Sequence, residues 1–156
     1  MSLLSVIVPC YNEEESVALF YRELTKNDPF FKEKEIELEL LYIDDGSKDG
    51  TWSIIRNLHE RDAHLFGGVK LSHNRGHQNA LLCGLMTLRN RADCVISMDA
   101  DLQDDIDAID AMLAAFQNGN DIVYGVRASR KQDSAFKRAT AQGYYHLLRA
   151  LGADVV

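Results

Sequence analysis

The chain has 156 residues, of which 46% are hydrophobic and 26% charged, and a formal net charge of −7. A chain of this length can form one domain with its own hydrophobic core. Its acidic balance excludes a nucleic-acid-binding protein, whose phosphate contacts require a basic surface. The three cysteines are an odd number without metal-ligand spacing, which favours reduced thiols in a cytosolic compartment. We expect neither a signal peptide nor a membrane-spanning helix, because no apolar run approaches roughly 20 residues.

The first strand is predicted over residues 3–8, a continuous apolar run that stops at Pro9 because proline cannot donate to a sheet ladder. Residues 13–15 are three glutamates that open a helix, since acids complement the N-terminal end of a helix dipole. That helix is predicted to end before Pro29. A second strand is predicted over residues 36–43, where acids alternate with apolar residues before the run becomes wholly apolar.

Three further helices and three further strands follow in alternation. A helix from about Asp49, a strand over 68–71, a helix over 77–89 and a strand over 94–98 come first. A helix from about Ile106 then ends at Gly119, which suits the left-handed cap position, and a fifth strand is predicted over 121–126. The predicted apolar stripes of the four helices are Val17, Phe20, Tyr21 and Leu24; Trp52, Ile55 and Leu58; Leu81, Leu85 and Leu88; and Ile106, Ile109, Leu113 and Phe116.

Regular alternation of strands and helices predicts parallel strands joined by right-handed crossovers, in a doubly wound α/β fold. Such sheets bind ligands at the carboxyl ends of their strands. Polar or unusual residues collect at these ends, over residues 11–13, 44–47, 74–76, 99–101 and 125–127. The sequence therefore predicts one binding site along this rim of the sheet.

Two aspartates, Asp99 and Asp101, directly follow the fourth predicted strand. Residues two apart in an extended segment point the same way, so the two carboxylates are expected to project together. Like charges this close require a cation between them, and we interpret the pair as ligands of a divalent metal ion. Helix capping accounts for the neighbouring Asp104 or Asp105 but not for these two.

Two other interpretations of the aspartates fit less well. A calcium-binding EF-hand loop needs Gly at its sixth position and Glu at its twelfth, where this chain has Asp104 and Asp110. A phosphatase of the haloacid dehalogenase type carries its Asp-x-Asp motif on the first strand, with Thr or Val two residues after the second aspartate. Here that position holds Gln103, and the strand is the fourth.

The first strand is followed by an aromatic residue and an acid, Tyr11 and Glu13, and not by a glycine-rich turn. Neither the dinucleotide-binding nor the phosphate-loop pattern is present. A ring and a carboxylate can hold a nucleobase. Asp45 can accept an N–H from the edge of the base, which favours a ligand with an imide or amide N–H, such as uracil or guanine.

Four motifs together resemble the family-two inverting glycosyltransferases of GT-A fold: VIVPCYNEE at 6–14, IDDGSKDGT at 43–51, NRG at 74–76 and MDADLQD at 98–104. More narrowly, they resemble the branch with dolichyl-phosphate mannosyltransferase and the bactoprenol (undecaprenyl-phosphate) glucosyltransferases. The resemblance implies a mostly parallel sheet with helices on both faces. It also implies a metal-dependent, inverting transfer of a hexose from a nucleotide diphosphate sugar, with UDP-glucose favoured, to polyprenyl phosphate.

The resemblance also implies roles for individual residues. The nucleotide-sugar-binding residues would be Pro9, Tyr11, Glu13, Ile43, Asp45, Asp99, Ala100 and Arg127. The ligands of Mg²⁺ or Mn²⁺ would be Asp101 and Gln103, with Asp99 beside them. The base that activates the acceptor has no match in this chain and is expected beyond Val156. We therefore expect residues 1–156 to be one catalytic domain, truncated at its C-terminal end and itself inactive or slow.

Several functional alternatives remain open at this point. The chain fits a noncatalytic nucleotide-sugar-binding or membrane-docking module, or a glycosyltransferase with a non-lipid acceptor. A nucleotidyltransferase is disfavoured because it usually carries a glycine-rich basic turn after its first strand. The basic residues after the fifth predicted strand form either a solvated helix face or a surface attracted to lipid phosphate; they are Arg127, Arg130, Lys131, Lys137 and Arg138.

Two further expectations concern the histidines and the cellular setting. A metal or acid–base role for His73 and His77 is disfavoured because no third ligand is evident, although the turn over 76–79 is a candidate lining of the donor pocket. The full-length protein is expected at the cytoplasmic side of a membrane, and a homo-oligomer is left open.

Overall fold

The computed structural model describes residues 2–126, apart from the side chain of Asp28, in two compact units divided after Ile109. The strands are β1 (Ser2–Cys10), β2 (Ile36–Asp44), β3 (Phe66–Lys70) and β4 (Cys94–Ser97). The helices are α1 (Val17–Thr25), α2 (Asp28–Glu33), α3 (Thr51–Arg61), α4 (His77–Leu88) and α5 (Ala108–Gln117). None of the helices in this part of the chain is long and apolar enough to span a bilayer.

The four strands form one parallel sheet in the order β3-β2-β1-β4. The chain builds outward from β1 to β3 and then returns to the other side of β1 for β4. The strand order reverses between β1 and β4, and open α/β sheets form their ligand clefts at such a reversal, at the carboxyl ends of the strands. This architecture confirms the predicted α/β class and its parallel strands.

Helices cover both faces of the sheet. On one face, Ile7, Leu41 and Ile43 pack in a buried cluster with Ala80 and Leu88 of α4. On the opposite face, the hydroxyl of Tyr42 donates to the carbonyl oxygen of Val17 in α1 at 3.3 Å. Neighbouring residues of a strand point to opposite faces. Because Tyr42 and Ile43 are both buried, β2 is covered on both faces. This burial explains why β1 and the second half of β2 are mostly apolar.

The prediction that β1 stops before Pro9 is wrong, because the strand continues to Cys10. The carbonyl oxygens of Leu3 and Ile7 accept from Asp93 and Met98, on the β4 side, so odd-numbered residues of β1 face that side. Pairing with β4 ends at Ile7. Pro9 therefore faces a side where the ladder has already ended, and its missing N–H leaves no ladder bond unmade.

Two helices depart from the predictions. The segment around Pro29 forms α2, with proline in the first turn, where no intrahelical N–H bond is needed. The prediction that α4 buries Leu85 is wrong, since Leu85 is exposed and Ala80, Gly84 and Leu88 are buried. A Cβ atom at position 84 would lie 2.6 Å from Cγ2 of Ile7, so α4 approaches β1 too closely for a larger side chain.

The end of the described chain confirms one prediction and overturns another. Gly119 follows α5 with φ +90°, as expected of a left-handed cap. The fifth strand predicted over 121–126 is wrong, because this segment has no strand structure. Its alternating apolar residues Ile122, Tyr124 and Val126 are largely exposed, so an alternating pattern alone does not produce a strand here.

Candidate functional site

A cleft of about 320 Å³ opens in the first unit, at the carboxyl edge of the sheet. Its volume lies at the lower end of the range for small-molecule sites, about 300–1,000 Å³. The lining comes from the residues at and after the strand ends and from the first turn of α4. The lining residues are Pro9, Cys10, Tyr11, Glu13, Asp45, Asn74, Gly76, His77, Ala80, Asp99, Ala100 and Asp101.

Most of the predicted site residues meet in this cleft. Those that line it are Pro9, Tyr11, Glu13, Asp45, Asp99, Ala100 and Asp101. Ile43 lies fully buried in the core beneath the cleft and does not line it. Gln103 is exposed and also lies outside the lining. Arg127 falls outside the described residues.

The loops after β1 and β2, residues 11–16 and 45–51, are bonded to each other and are called the paired loops below. The amide of Asn12 donates to Oγ of Ser47 at 2.9 Å, and the amide of Lys48 donates to Oδ1 of Asn12 at 2.9 Å. Asn12 adopts φ +56°, a left-handed conformation that asparagine tolerates better than most residues. Its side chain therefore bonds the backbone of the loop after β2.

Two further residues extend this pairing, Glu14 and Thr51. The amide of Gly50 donates to Oε2 of Glu14 at 2.7 Å. Thr51 is fully buried, and its hydroxyl accepts from the amide of Glu13 at 2.8 Å while donating to Oδ1 of Asp49 at 2.6 Å. These bonds hold the backbone that carries Tyr11 and Glu13 into the cleft.

The pKa of Asp49 reports the same network. Slight burial acts to raise this pKa, but the hydrogen bonds from Thr51 and from the amide of Glu14 outweigh it and hold the pKa below its ordinary value of 3.8. Hydrogen bonds donated to a carboxylate stabilise its charged form. Asp49 is therefore a structural carboxylate that organises the paired loops.

Asp45 joins three strand ends. It is only 3% exposed, and its own amide donates to the carbonyl oxygen of Cys10 at 2.9 Å. Its Oδ1 accepts from the amide of Arg75 at 2.7 Å, and its Oδ2 accepts from the amide of Gly76 at 2.8 Å. Each carboxylate oxygen keeps a second lone pair. Asp45 thus positions the loop after β3, and contact with a nucleobase stays a prediction.

The neighbouring Asp44 and Gly46 complete the contact with the loop after β3. Asp44 is fully buried; its Oδ1 accepts from the amide of Ser47 at 2.8 Å, and its Oδ2 lies 3.6 Å from Nζ of Lys70 at the end of β3. Gly46 has φ +73°, and a Cβ atom there would lie 2.6 Å from the carbonyl carbon of His73. Only glycine fits this position without moving backbone.

The loop after β4, residues 98–105, is called the acidic loop below, and two of its carboxylates accept backbone amides of the same loop. The amide of Gln103 donates to Oδ1 of Asp101 at 3.0 Å, and the amide of Asp99 donates to Oδ2 of Asp104 at 3.3 Å. Asp99 and Asp101 are exposed, while the intervening Ala100 is buried. This alternation directs both carboxylates toward the cleft.

Asp105 supports the expectation of capping at the start of the next helix. Its carbonyl oxygen accepts from the amide of Ala108, the first residue of α5, at 3.1 Å. Its Oδ1 accepts from the amide of Asp107 at 3.1 Å. Asp104 has a different contact, because its Oδ2 accepts from the amide of Asp99, a residue that lines the cleft.

The first turn of α4 reaches the cleft through Gly76 and His77, in agreement with the expectation for the turn over 76–79. Nδ1 of His77 lies 3.8 Å from Oδ1 of Asp99, and both side chains are about half exposed. This distance is too long for a hydrogen bond. The pair makes an ionic contact only when the imidazole is protonated.

The donor set allows a divalent metal but does not enclose one. Within residues 2–126, no group of three or more Asp, Glu, His or Cys side chains is arranged to hold a metal ion. Mg²⁺ usually keeps several waters and binds through one or two carboxylates together with substrate phosphates. Asp99 and Asp101, which line one cleft, match that chemistry.

Three site features were missed by the sequence interpretation. Cys10 and Ala80 line the cleft, and the loop-bonding roles of Asn12, Ser47 and Thr51 were not foreseen. Burial, followed by the charge of Asp44, raises the pKa of the Cys10 thiol well above its ordinary value, so this lining residue is a neutral thiol. The repeated Ser/Asp/Thr pattern after β2 was the available signal, because such residues bond local backbone.

The whole of this site lies in a region that matches a family model. The model of glycosyl transferase family 2 matches residues 5–153, and the chain belongs to that family. The family resemblance inferred from the four motifs is thereby confirmed.

Three relatives illustrate the match. The chain is 47% identical to an uncharacterized glycosyltransferase, YkoT, of Bacillus subtilis, over 99% of this chain and 46% of the relative. It is 38% identical to the bactoprenol glucosyl transferase of Shigella phage SfX, over 92% and 45%. It is 33% identical to an undecaprenyl-phosphate 4-deoxy-4-formamido-L-arabinose transferase of Pseudomonas savastanoi, over 88% and 39%. The chain spans less than half the length of these curated relatives.

Proposed function

We propose that the cleft binds a nucleotide diphosphate sugar with a divalent metal ion, and that the protein transfers the hexose to polyprenyl phosphate. One observation carries the proposal. The cleft joins an aromatic ring and acids from the β1 and β2 ends to two exposed carboxylates from the β4 end. A ligand that satisfies both ends must combine a planar, N–H-bearing group with an anionic group that brings a cation.

At the first end, the ring of Tyr11 offers a stacking surface for the base, while Glu13 and Asp45 offer carboxylate acceptors. Asp45 already binds two amides of the loop after β3, so its orientation is set before the ligand arrives. Pre-organisation of this kind removes an ordering cost from binding. Uracil and guanine both carry the required N–H.

At the second end, Asp101 and Asp99 would hold Mg²⁺ or Mn²⁺ together with the diphosphate, and Gln103 is retained as a further proposed ligand. The bound ion would act as a Lewis acid that offsets charge on the departing nucleoside diphosphate. The N-terminus of the 12-residue α4 opens at the cleft through Gly76 and His77. Its partial positive charge favours the same diphosphate.

The acceptor proposal follows from the chemistry of the nucleophile. A phosphate monoester has a second pKa of about 6 and is already largely anionic at neutral pH. It therefore needs positioning and electrostatic stabilisation more than a catalytic base. Two of the relatives carry bactoprenol or undecaprenyl-phosphate in their names, which supports a lipid phosphate acceptor. A location at the cytoplasmic side of a membrane is part of the same proposal. UDP-glucose is the donor we propose first.

Isothermal titration calorimetry with UDP-glucose, GDP-mannose and UDP, each with and without Mn²⁺, tests the donor part of this proposal. We expect one nucleotide to bind about tenfold more tightly or better with Mn²⁺. Asp101→Ala should remove this metal dependence, and Asp107→Ala is the matched control because Asp107 is an exposed carboxylate outside the cleft lining.

A second pair of variants tests the base end separately. Tyr11→Ala should weaken binding by about 1–3 kcal/mol whether or not metal is present, and Tyr11→Phe should preserve it. If no nucleotide binds in a metal-dependent way, or if Asp101→Ala binds like the unmodified protein, the donor proposal fails. The transfer reaction is tested in a separate assay on the full-length protein, with polyprenyl phosphate and with a non-lipid alcohol as the two acceptors.

A further inference from the structure

The outer face of α4 carries an apolar stripe that is exposed in the part of the chain that the structure describes. Leu82, Leu85 and Met86 are 54%, 44% and 58% exposed, and their spacing of three and four places them on one side of the helix. We call these three residues the α4 stripe. The opposite side of α4 is also apolar, because it packs against β1 and β2 through Ala80 and Leu88. A helix that is apolar all round is normally covered on every side.

The charges around the α4 stripe differ from those of the rest of the chain. The protein has 24 acidic residues and a net charge of −7, yet no Asp or Glu occurs between Asp62 and Asp93. Arg75 lies shortly before α4 and Arg89 is its C-cap residue, and both are exposed. The apolar surface is therefore flanked along the chain by two exposed arginines, and the segment between them contains no acid of its own.

We propose that the α4 stripe docks on the surface of a lipid bilayer that contains anionic headgroups. An apolar helix face with flanking cations is the pattern of a helix that lies in the membrane interface, where apolar side chains enter the acyl boundary and arginines meet the headgroups. Gly76 and His77 at the start of α4 line the cleft. Docking through α4 therefore brings one wall of the cleft close to the membrane.

A second copy of this chain is a poorer occupant of the same surface. A two-fold interface must be self-complementary. Pairing two α4 helices about a two-fold axis brings arginine-bearing ends together, with no acid from this segment to pair with them. The membrane proposal rests on the proposed function only for the identity of the bilayer as the one that holds the acceptor.

Co-flotation of the 156-residue chain with vesicles tests the proposal. Vesicles of phosphatidylcholine alone are compared with vesicles that also contain about 30% phosphatidylglycerol, the anionic lipid that cationic side chains attract. The triple variant Leu82→Gln, Leu85→Gln, Met86→Gln should lower binding to the anionic vesicles about tenfold or more. Arg89→Gln should lower it about fivefold.

Matched substitutions on another surface provide the controls. Leu19 in α1 is 44% exposed, as Leu85 is, and Arg56 in α3 is an exposed arginine. Leu19→Gln and Arg56→Gln should leave vesicle binding unchanged. Circular dichroism verifies that each variant is folded, and the single variant Leu85→Gln serves as a milder test of the stripe.

Two results would overturn the proposal. One is vesicle binding by the triple variant that equals that of the unmodified chain. The other is binding that disappears only with Arg130→Gln and Lys131→Gln, which would assign it to the basic segment. Calorimetry with nucleotide, run in parallel without lipid, separates this proposal from the donor proposal. If a variant loses vesicle binding but still binds nucleotide, the result bears on the α4 proposal alone. If it loses nucleotide binding but still binds vesicles, the result bears on the donor proposal alone.

Discussion

The paired loops and the acidic loop form two ends of one cleft, but they are held in different ways. The paired loops exchange hydrogen bonds with each other across more than thirty residues of sequence, and they include the buried side chains of Asp45 and Thr51. Within the acidic loop, Asp101 and Asp104 accept backbone amides of the same loop, and Asp99 and Asp101 are exposed to solvent. One end is fixed by folding, and the other end keeps its charges accessible.

This difference assigns different consequences to mutation. Buried carboxylates and hydroxyls that bond backbone amides contribute to folding, because an amide left without its partner costs free energy. Exposed carboxylates that line one cleft contribute little to folding and are available to bind a cation. Substitutions in the paired loops should therefore change the free energy of unfolding, and substitutions in the acidic loop should change ligand affinity.

The largest expected effect is that of Gly46→Ala in the paired loops. A Cβ atom at Gly46 would meet the backbone of His73 at 2.6 Å, and φ +73° disfavours any side chain. We expect the free energy of unfolding in urea to fall by about 3–5 kcal/mol. Gly76→Ala is the matched control, because Gly76 has φ +87° but no atom near its Cβ position. It should cost less, about 1–3 kcal/mol, from backbone strain alone. Equal losses would show that the contact with His73 is unimportant.

Asp45→Ala should have the next largest effect. The substitution leaves the amides of Arg75 and Gly76 without their acceptor, and we expect a loss of about 2–3 kcal/mol in the free energy of unfolding. Amide hydrogen exchange of the loop over 74–76 should accelerate at the same time. An unchanged exchange rate in this loop would contradict the positioning role of Asp45.

Thr51→Val tests the pairing of the loops with an isosteric change. The valine keeps the buried volume but removes the hydroxyl that joins Glu13 to Asp49. A loss of about 1 kcal/mol is expected, together with weaker nucleotide binding through the displaced loop of Tyr11. Thr25→Val in α1 is a control, since its hydroxyl bonds only carbonyls of its own helix.

The dependence of the free energy of unfolding on pH below neutrality should show a smaller effect, which comes from Asp49. Because the pKa of Asp49 is lowered in the folded protein, its contribution is complete above the unfolded pKa near 3.8 and is lost as the pH falls through the lower folded pKa. Unfolding in urea from about pH 6 to about pH 2 should show this loss, and Thr51→Val should reduce it. If the unmodified protein and Thr51→Val lose the same stability as the pH falls, Asp49 does not take part in the hydrogen-bond network of the paired loops.

Asp101→Ala should have almost no effect on folding. Asp101 is exposed and accepts one bond from within its own loop, so we expect the free energy of unfolding to change by less than about 0.5 kcal/mol in metal-free buffer. Its effect should appear in metal-dependent nucleotide binding. A large destabilisation would mean that the two ends of the cleft are not held differently after all.

Much of the fold follows from local patterns. The mostly apolar run over 3–8 and the apolar run that ends the 36–43 segment predicted β1 and β2, since strands covered on both faces are rich in apolar residues. The positions of Asp99 and Asp101 after a strand predicted a shared direction of the two side chains, and both residues line the cleft. The failures are also physical. The apolar residues of α4 are compatible with more than one buried face, so the sequence did not show which face packs on the sheet. Apolar residues alternate over 121–126, but this segment has no strand structure.

By itself, the sequence determined the parallel α/β architecture, the rim on which the polar residues collect, the paired carboxylates after β4 and the family. These properties depend on spacings of two to four residues, which local backbone geometry decides. Only the tertiary structure decided that Asp45 binds the loop after β3, that Asn12 and Glu14 serve the neighbouring loop, and that α4 packs through its small residues. Those outcomes depend on how closely distant segments approach. A Cβ atom at Gly84 would lie 2.6 Å from Ile7, so the contact of α4 with β1 requires a small residue there, while Leu82 and Leu85 lie on the exposed side of the helix.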